Sequence, residues 1–77
     1  MDDMKDKNGF QLRIGDTITF EGGKGKVVDY LGDGGKFGAR VRVITSTGQR
    51  VDIALLLAQA EYKPPVEEYQ PTQRYGV

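Results

Sequence analysis

The chain has 77 residues, enough for one domain at most, and its eleven Lys and Arg balance its eleven Asp and Glu. It contains no Cys, His or Trp, which excludes a disulfide framework, a thiolate zinc site, a thiol nucleophile and the commonest general base. No apolar run approaches the roughly 20 residues of a membrane span, and the acidic start does not read as a signal peptide. The expectation is a small cytoplasmic protein with no catalytic, metal or cofactor site.

Charge is uneven along the chain. Residues 1–6 carry a net of −2, residues 7–53 carry eight bases against five acids, and residues 54–77 carry two bases against three acids. The first eleven residues are expected to be flexible, residues 12–63 to form the domain, and residues 64–77 to be a tail.

Ile18 and Phe20 alternate with Thr17, Thr19 and Glu21, the period of two that half-buries a strand. Gly22-Gly23-Lys24-Gly25 reads as a turn, residues 26–31 as a second strand, and Gly32-Asp33-Gly34-Gly35 as a flexible loop. Val41 and Val43 oppose Arg40 and Arg42, Ser46-Thr47-Gly48 turns the chain, and Val51 and Ile53 resume the alternation, which predicts a hairpin. Val27 and Val28 cannot both face a core, so the register there is open. Ala54-Leu55-Leu56-Leu57-Ala58 is too short for an ordinary helix and predicts one helical turn, with a last short strand at residues 61–63. The expected core is Ile14, Ile18, Phe20, Val28, Tyr30, Val41, Val43, Val51, Ile53 and Leu56. It is thin for this length, and exposed Ile44, Leu55 or Leu57 would favour a homo-oligomer.

All three prolines fall in the tail, together with Tyr69 and Tyr75. Proline removes backbone donors and favours extended chain, so the tail reads as disordered until a partner orders it. Val66, Tyr69 and Tyr75 are its candidate protein-binding anchors, since Tyr loses little entropy on docking.

Four or five short strands with glycine-rich loops predict an all-β fold, a small five-stranded barrel with one helical turn. Ile14-Gly15-Asp16-Thr17-Ile18-Thr19-Phe20 followed by Gly25-Lys26-Val27-Val28 resembles the opening of Src-homology-3-like barrels of the KOW type. Over residues 12–62 that resemblance implies third and fourth strands within residues 40–53 and a turn at residues 55–57 before a fifth. It implies a fold more than a task, because such barrels serve in transcription factors, ribosomal proteins, photosystem subunits and phage components.

Three functional expectations follow. The first is a non-catalytic module acting through protein–protein interaction in a larger assembly, its size and style fitting a phage or plasmid product. The second is an accessory protein for RNA or single-stranded DNA. Lys24, Lys26, Lys36, Arg40 and Arg42 would follow phosphates while Phe37 stacks on a base. The third is a pore-type dihydrofolate reductase, to whose Val-Gln-Ile-Tyr strand Val51-Asp52-Ile53-Ala54 is similar. There Asp52 and Ala54 replace the Gln and Tyr that make the contacts, and an Asp ring would repel an anionic cofactor. The glycines around Gly34, Gly35 and Gly38 lack phosphate-loop spacing and a following helix, so they read as loop formers.

Overall fold

The alternating segments form five antiparallel strands, β1 (Thr17–Phe20), β2 (Gly23–Gly32), β3 (Arg40–Thr45), β4 (Arg50–Ala54) and β5 (Glu61–Lys63). They make one sheet in the order β4-β3-β2-β1-β5. The computed structural model describes residues 4–64. The fold is all-β, and the one helical turn among the described residues is a 3-10 turn at Gly35–Phe37. Among the described residues no helix is long and apolar enough to cross a membrane.

The long β2 explains how so short a chain surrounds a core. Its first residues pair with β1, from Gly23 opposite Phe20 to Lys26 opposite Thr17, and the stretch from Gly25 onward pairs with β3. Register shifts between Val27 and Asp29 and between Tyr30 and Gly32 bend it. The first shift settles the Val27-Val28 question: Val27 sits opposite Val43 and is fully buried, while Val28 is the extra, half-buried residue of the bulge. Gly25 lies where β2 crosses from one partner to the other. A Cβ there would strike Val43 Cγ1 and lie 2.7 Å from the Ile44 carbonyl oxygen, so the strands can approach only around glycine.

The core rows follow this register. Val27, Val43 and Val51 face one another across β2, β3 and β4, as do Tyr30, Val41 and Ile53. Ile18 faces Tyr62 across β1 and β5. Ile18, Val41 and Val43 are fully buried, with Phe20, Tyr30, Val51 and Ile53 packed against them.

Several expectations are corrected. The first hairpin turns at Glu21-Gly22, with Gly23, Lys24 and Gly25 inside β2 rather than in the loop. The 3-10 turn occupies residues 35–37, in the glycine-rich stretch. Residues 55–59 instead make irregular turns, with Ala58 N–H donating to Ala54 C=O at 2.9 Å and Ala60 N–H to Leu55 C=O at 2.8 Å. This winding drives Leu55, not Leu56, into the core: Leu55 is fully buried, while Leu56 and Leu57 stay 43% and 60% exposed. Ile14 is 54% exposed and leaves the core as well.

The segment before Leu12, expected to be flexible, is packed from Met4 onward. Met4 and Leu12 are buried, Leu12 N–H donates to Met4 C=O at 2.6 Å, and Lys5 bridges to Gln11. The anchor is Asp6, 2% exposed. Its Oδ1 accepts the Asn8 and Phe10 N–H groups at 2.9 Å each, and its Oδ2 accepts the Tyr62 N–H at 2.7 Å. Tyr62 belongs to an edge strand, so that N–H has no ladder partner and the carboxylate takes its place. The Phe10 ring stacks on Tyr62 at 4.2 Å between centroids.

Candidate interaction surface

Residues opposite one another in adjacent antiparallel strands share a face. Arg40 and Arg42 stand on the outer face of β3, as their alternation with Val41 and Val43 predicts. The six residues expected to hold a nucleic-acid strand nevertheless do not form one cluster. Lys36, Phe37 and Arg40 lie at the start of β3, whereas Lys24 and Lys26 lie beside its end, where Ser46 N–H donates to Lys24 C=O at 3.0 Å. The length of β3, roughly 17 Å at about 3.3 Å per residue, separates the two groups.

Between them Arg42 is already engaged. Its Nε lies 2.9 Å from Asp52 Oδ1 and its Nη2 3.3 Å from Oδ2, a two-pronged pair across β3 and β4. The hydrogen bond from Arg42 holds the Asp52 carboxyl below its usual range, and the same bond raises the guanidinium further. Asp29, opposite Arg42 on β2, adds a second acid to this belt. Asp52 is thus tied to an arginine on the same sheet.

The register does assemble a cationic surface at the other end of the sheet. Lys63, Thr17, Lys26, Ile44 and Arg50 form one continuous outer row across β5, β1, β2, β3 and β4. Lys24 stands two residues along β2 on the same face. Lys24, Lys26, Arg50 and Lys63 are all exposed and make no ion pair with any described residue, while Asp52 is held by Arg42 and Glu61 lies 3.8 Å from Lys7. Lys24, Lys26, Val28 and Ile44 line an open groove of about 380 Å³ here, with Thr17 and Ser46 at its sides. Sequence reading finds Lys24 and Lys26 but misses Arg50 and Lys63. Nothing local in the chain marks these two, because β5 joins the row only through its pairing with β1.

The opposite end is apolar. Phe37 is 43% exposed beside Leu56 and Leu57, whose N–H groups both donate to the Phe37 carbonyl, at 2.8 and 3.2 Å. Gly38 makes this approach possible: its φ is +86°, and a Cβ would lie 2.7 Å from Leu56 Cγ. The Lys36 ammonium sits 5.4 Å from the centre of the Phe37 ring, which occupies the side chain expected to follow phosphates. The tail anchors Val66, Tyr69 and Tyr75 lie outside the described residues.

Among the described residues no three Asp or Glu side chains gather in a way that would hold a metal ion. No protein-family model, curated protein or solved structure matches this chain.

Proposed function

We propose that this chain is a non-catalytic small β-barrel binding module that acts through protein–protein contact within a larger cytoplasmic assembly, of the kind a phage or plasmid encodes. The observation that carries the proposal is the apolar end, where Phe37, Leu56 and Leu57 are exposed side by side and fixed by backbone hydrogen bonds. Scattered exposed aliphatics are ordinary, but three large ones held together by their own backbone present a prepared surface. The resemblance to Src-homology-3-like barrels of the KOW type belongs to the same proposal. Five strands and the turns at residues 55–59 between β4 and β5 support it.

The nucleic-acid reading ranks second, because its six residues divide between two ends and Arg42 is paired. The test is affinity capture from the native host with wild-type chain and with Leu57→Asp as baits. Leu57 is 60% exposed, so the variant folds as the parent does. The expected result is a defined set of proteins bound by wild type and lost with the variant. Identical capture by the two baits would reject the proposal.

A further inference from the structure

The two edges of the sheet differ in what covers them. On the β5 edge Lys7 N–H donates to the Ala60 C=O at 2.9 Å, and the Asp6 carboxylate accepts the Tyr62 N–H at 2.7 Å. The β4 edge has no such cover. β4 stands at the end of the strand order and pairs only with β3 among the described residues. Its register with β3 runs without a bulge from Arg50 to Ala54, and it contains no proline. Bulges and prolines are the devices that ordinarily keep an edge from pairing.

The hydrogen-bond alternation defines what that edge offers. Leu55 N–H donates to Ala39 C=O at 2.9 Å and Thr45 N–H to Gln49 C=O at 2.8 Å, so the odd-numbered residues of β4 bond to β3. The N–H and C=O groups of Arg50, Asp52 and Ala54 therefore point away from the sheet. Of these only the Ala54 C=O has a backbone partner among the described residues, the Ala58 N–H at 2.9 Å. Beside them Val51 and Ile53 pack toward the core yet stay half-buried.

A strand that fits this edge sets opposite charges against Arg50 and Asp52 and an apolar residue against Val51. β4 itself meets the condition when a second copy is turned antiparallel about a two-fold axis at Val51. Arg50 then stands opposite the partner's Asp52, and Asp52 opposite the partner's Arg50. Each of these pairs exchanges both its backbone bonds, through the groups that point outward. Val51 meets its own copy on the core side, in the closer spacing of about 4.5 Å between Cα atoms. A slide of two residues either way sets Arg50 against Arg50 or Asp52 against Asp52, so charge selects this register.

We propose that the chain self-associates into a two-fold dimer by antiparallel β4–β4 pairing centred on Val51, which continues the sheet through both copies. An edge of five residues is a small interface, so the dimer is weak and exchanges with monomer. It uses none of Phe37, Leu56 and Leu57.

Sedimentation of the full-length chain from about 10 μM to about 1 mM covers the range in which so small an interface dissociates. The expected result is a monomer–dimer equilibrium, with amide hydrogen exchange at Arg50 and Asp52 slowing as concentration rises. Arg50→Asp and Asp52→Arg each set like charges opposite one another and weaken the dimer about tenfold or more. An equimolar mixture of these two variants restores it, because every opposed pair is again of opposite charge. Leu57→Asp dimerises as wild type does, and circular dichroism verifies that each variant keeps the sheet. A chain that stays monomeric at about 1 mM overturns the proposal, as does a variant mixture that fails to associate. A dimer indifferent to the charge reversals but dissolved by Leu57→Asp also overturns it and assigns association to the apolar end. Slow exchange at Arg50 and Asp52 that is independent of concentration overturns it too, since the edge is then covered within one chain.

Discussion

Replacing Asp6 by Ala tests whether one buried carboxylate holds the amino-terminal segment to the sheet. Three backbone N–H groups converge on it, at 2.9, 2.9 and 2.7 Å, from Asn8, Phe10 and Tyr62. A hydrogen bond to a charged group contributes about 1.5–3 kcal/mol net, and a buried donor left without a partner costs about 1–3 kcal/mol. Asn8 and Phe10 are exposed, so water replaces much of what their amides lose. The Tyr62 donor points at a carboxylate that is itself buried, so it retains most of its penalty. The sum is about 3 kcal/mol, against roughly 3–9 kcal/mol of total stability for a domain of about 60 residues. At about 4–8 °C per kcal/mol for a domain this small, Tm falls by roughly 12–24 °C. Asp6→Asn keeps one acceptor oxygen for Asn8 and Phe10 but turns an NH₂ toward the Tyr62 N–H, so it falls between wild type and Ala. Urea unfolding followed by circular dichroism measures all three. A loss below about 0.5 kcal/mol in Asp6→Ala, the range of an ordinary surface change, would refute the anchoring role.

Gly25→Ala forces a methyl group against Val43 and the Ile44 carbonyl and is expected to cost about 1–3 kcal/mol; unchanged thermal unfolding would show that β2 and β3 need no such close approach. Leu55→Ala empties a fully buried position and costs about 2–5 kcal/mol, whereas Leu57→Ala stays within about 0.5 kcal/mol; equal effects in denaturant titrations would mean that the turn winds differently. Because Arg42 lowers the Asp52 pKa in the folded state, the pair's contribution is present above the unfolded carboxylate pKa and fades as pH falls through the lower folded one. Carbon-detected titration should place the Asp52 midpoint below its ordinary value in wild type and near it in Arg42→Gln. An unmoved midpoint would show that the pair does not persist in solution.

What is legible in the sequence is whatever depends on neighbours in the chain. The alternation of Val41 and Val43 with Arg40 and Arg42 gives strand and faces together, because a period of two needs no tertiary information. The Ser46-Thr47-Gly48 turn and the hairpin it closes are local for the same reason. The all-β class follows from these segments and from the lack of any apolar run at helical spacing.

Other features depend on contacts between distant residues. In Leu55-Leu56-Leu57 three identical side chains differ only in which one the turn winds inward. That choice is made by the Leu55 N–H bond to the Ala39 carbonyl and by the close approach of Gly38 to Leu56. Asp6 reads as one acid in a frayed start, because its meaning comes from an unpaired N–H on β5, 56 residues away. The basic residues give the plainest case. Sequence order groups Lys36, Phe37, Arg40 and Arg42 with Lys24 and Lys26, but antiparallel pairing sends the two lysines to the far end of β3. It ties Arg42 to Asp52 and brings Lys63 and Arg50 into register with Lys26. Composition and periodicity determined that this chain forms strands and, where the alternation is regular as at residues 40–43, which residues point outward. The tertiary structure decided which outward residues are neighbours, because strand pairing joins positions according to register and not according to their order along the chain.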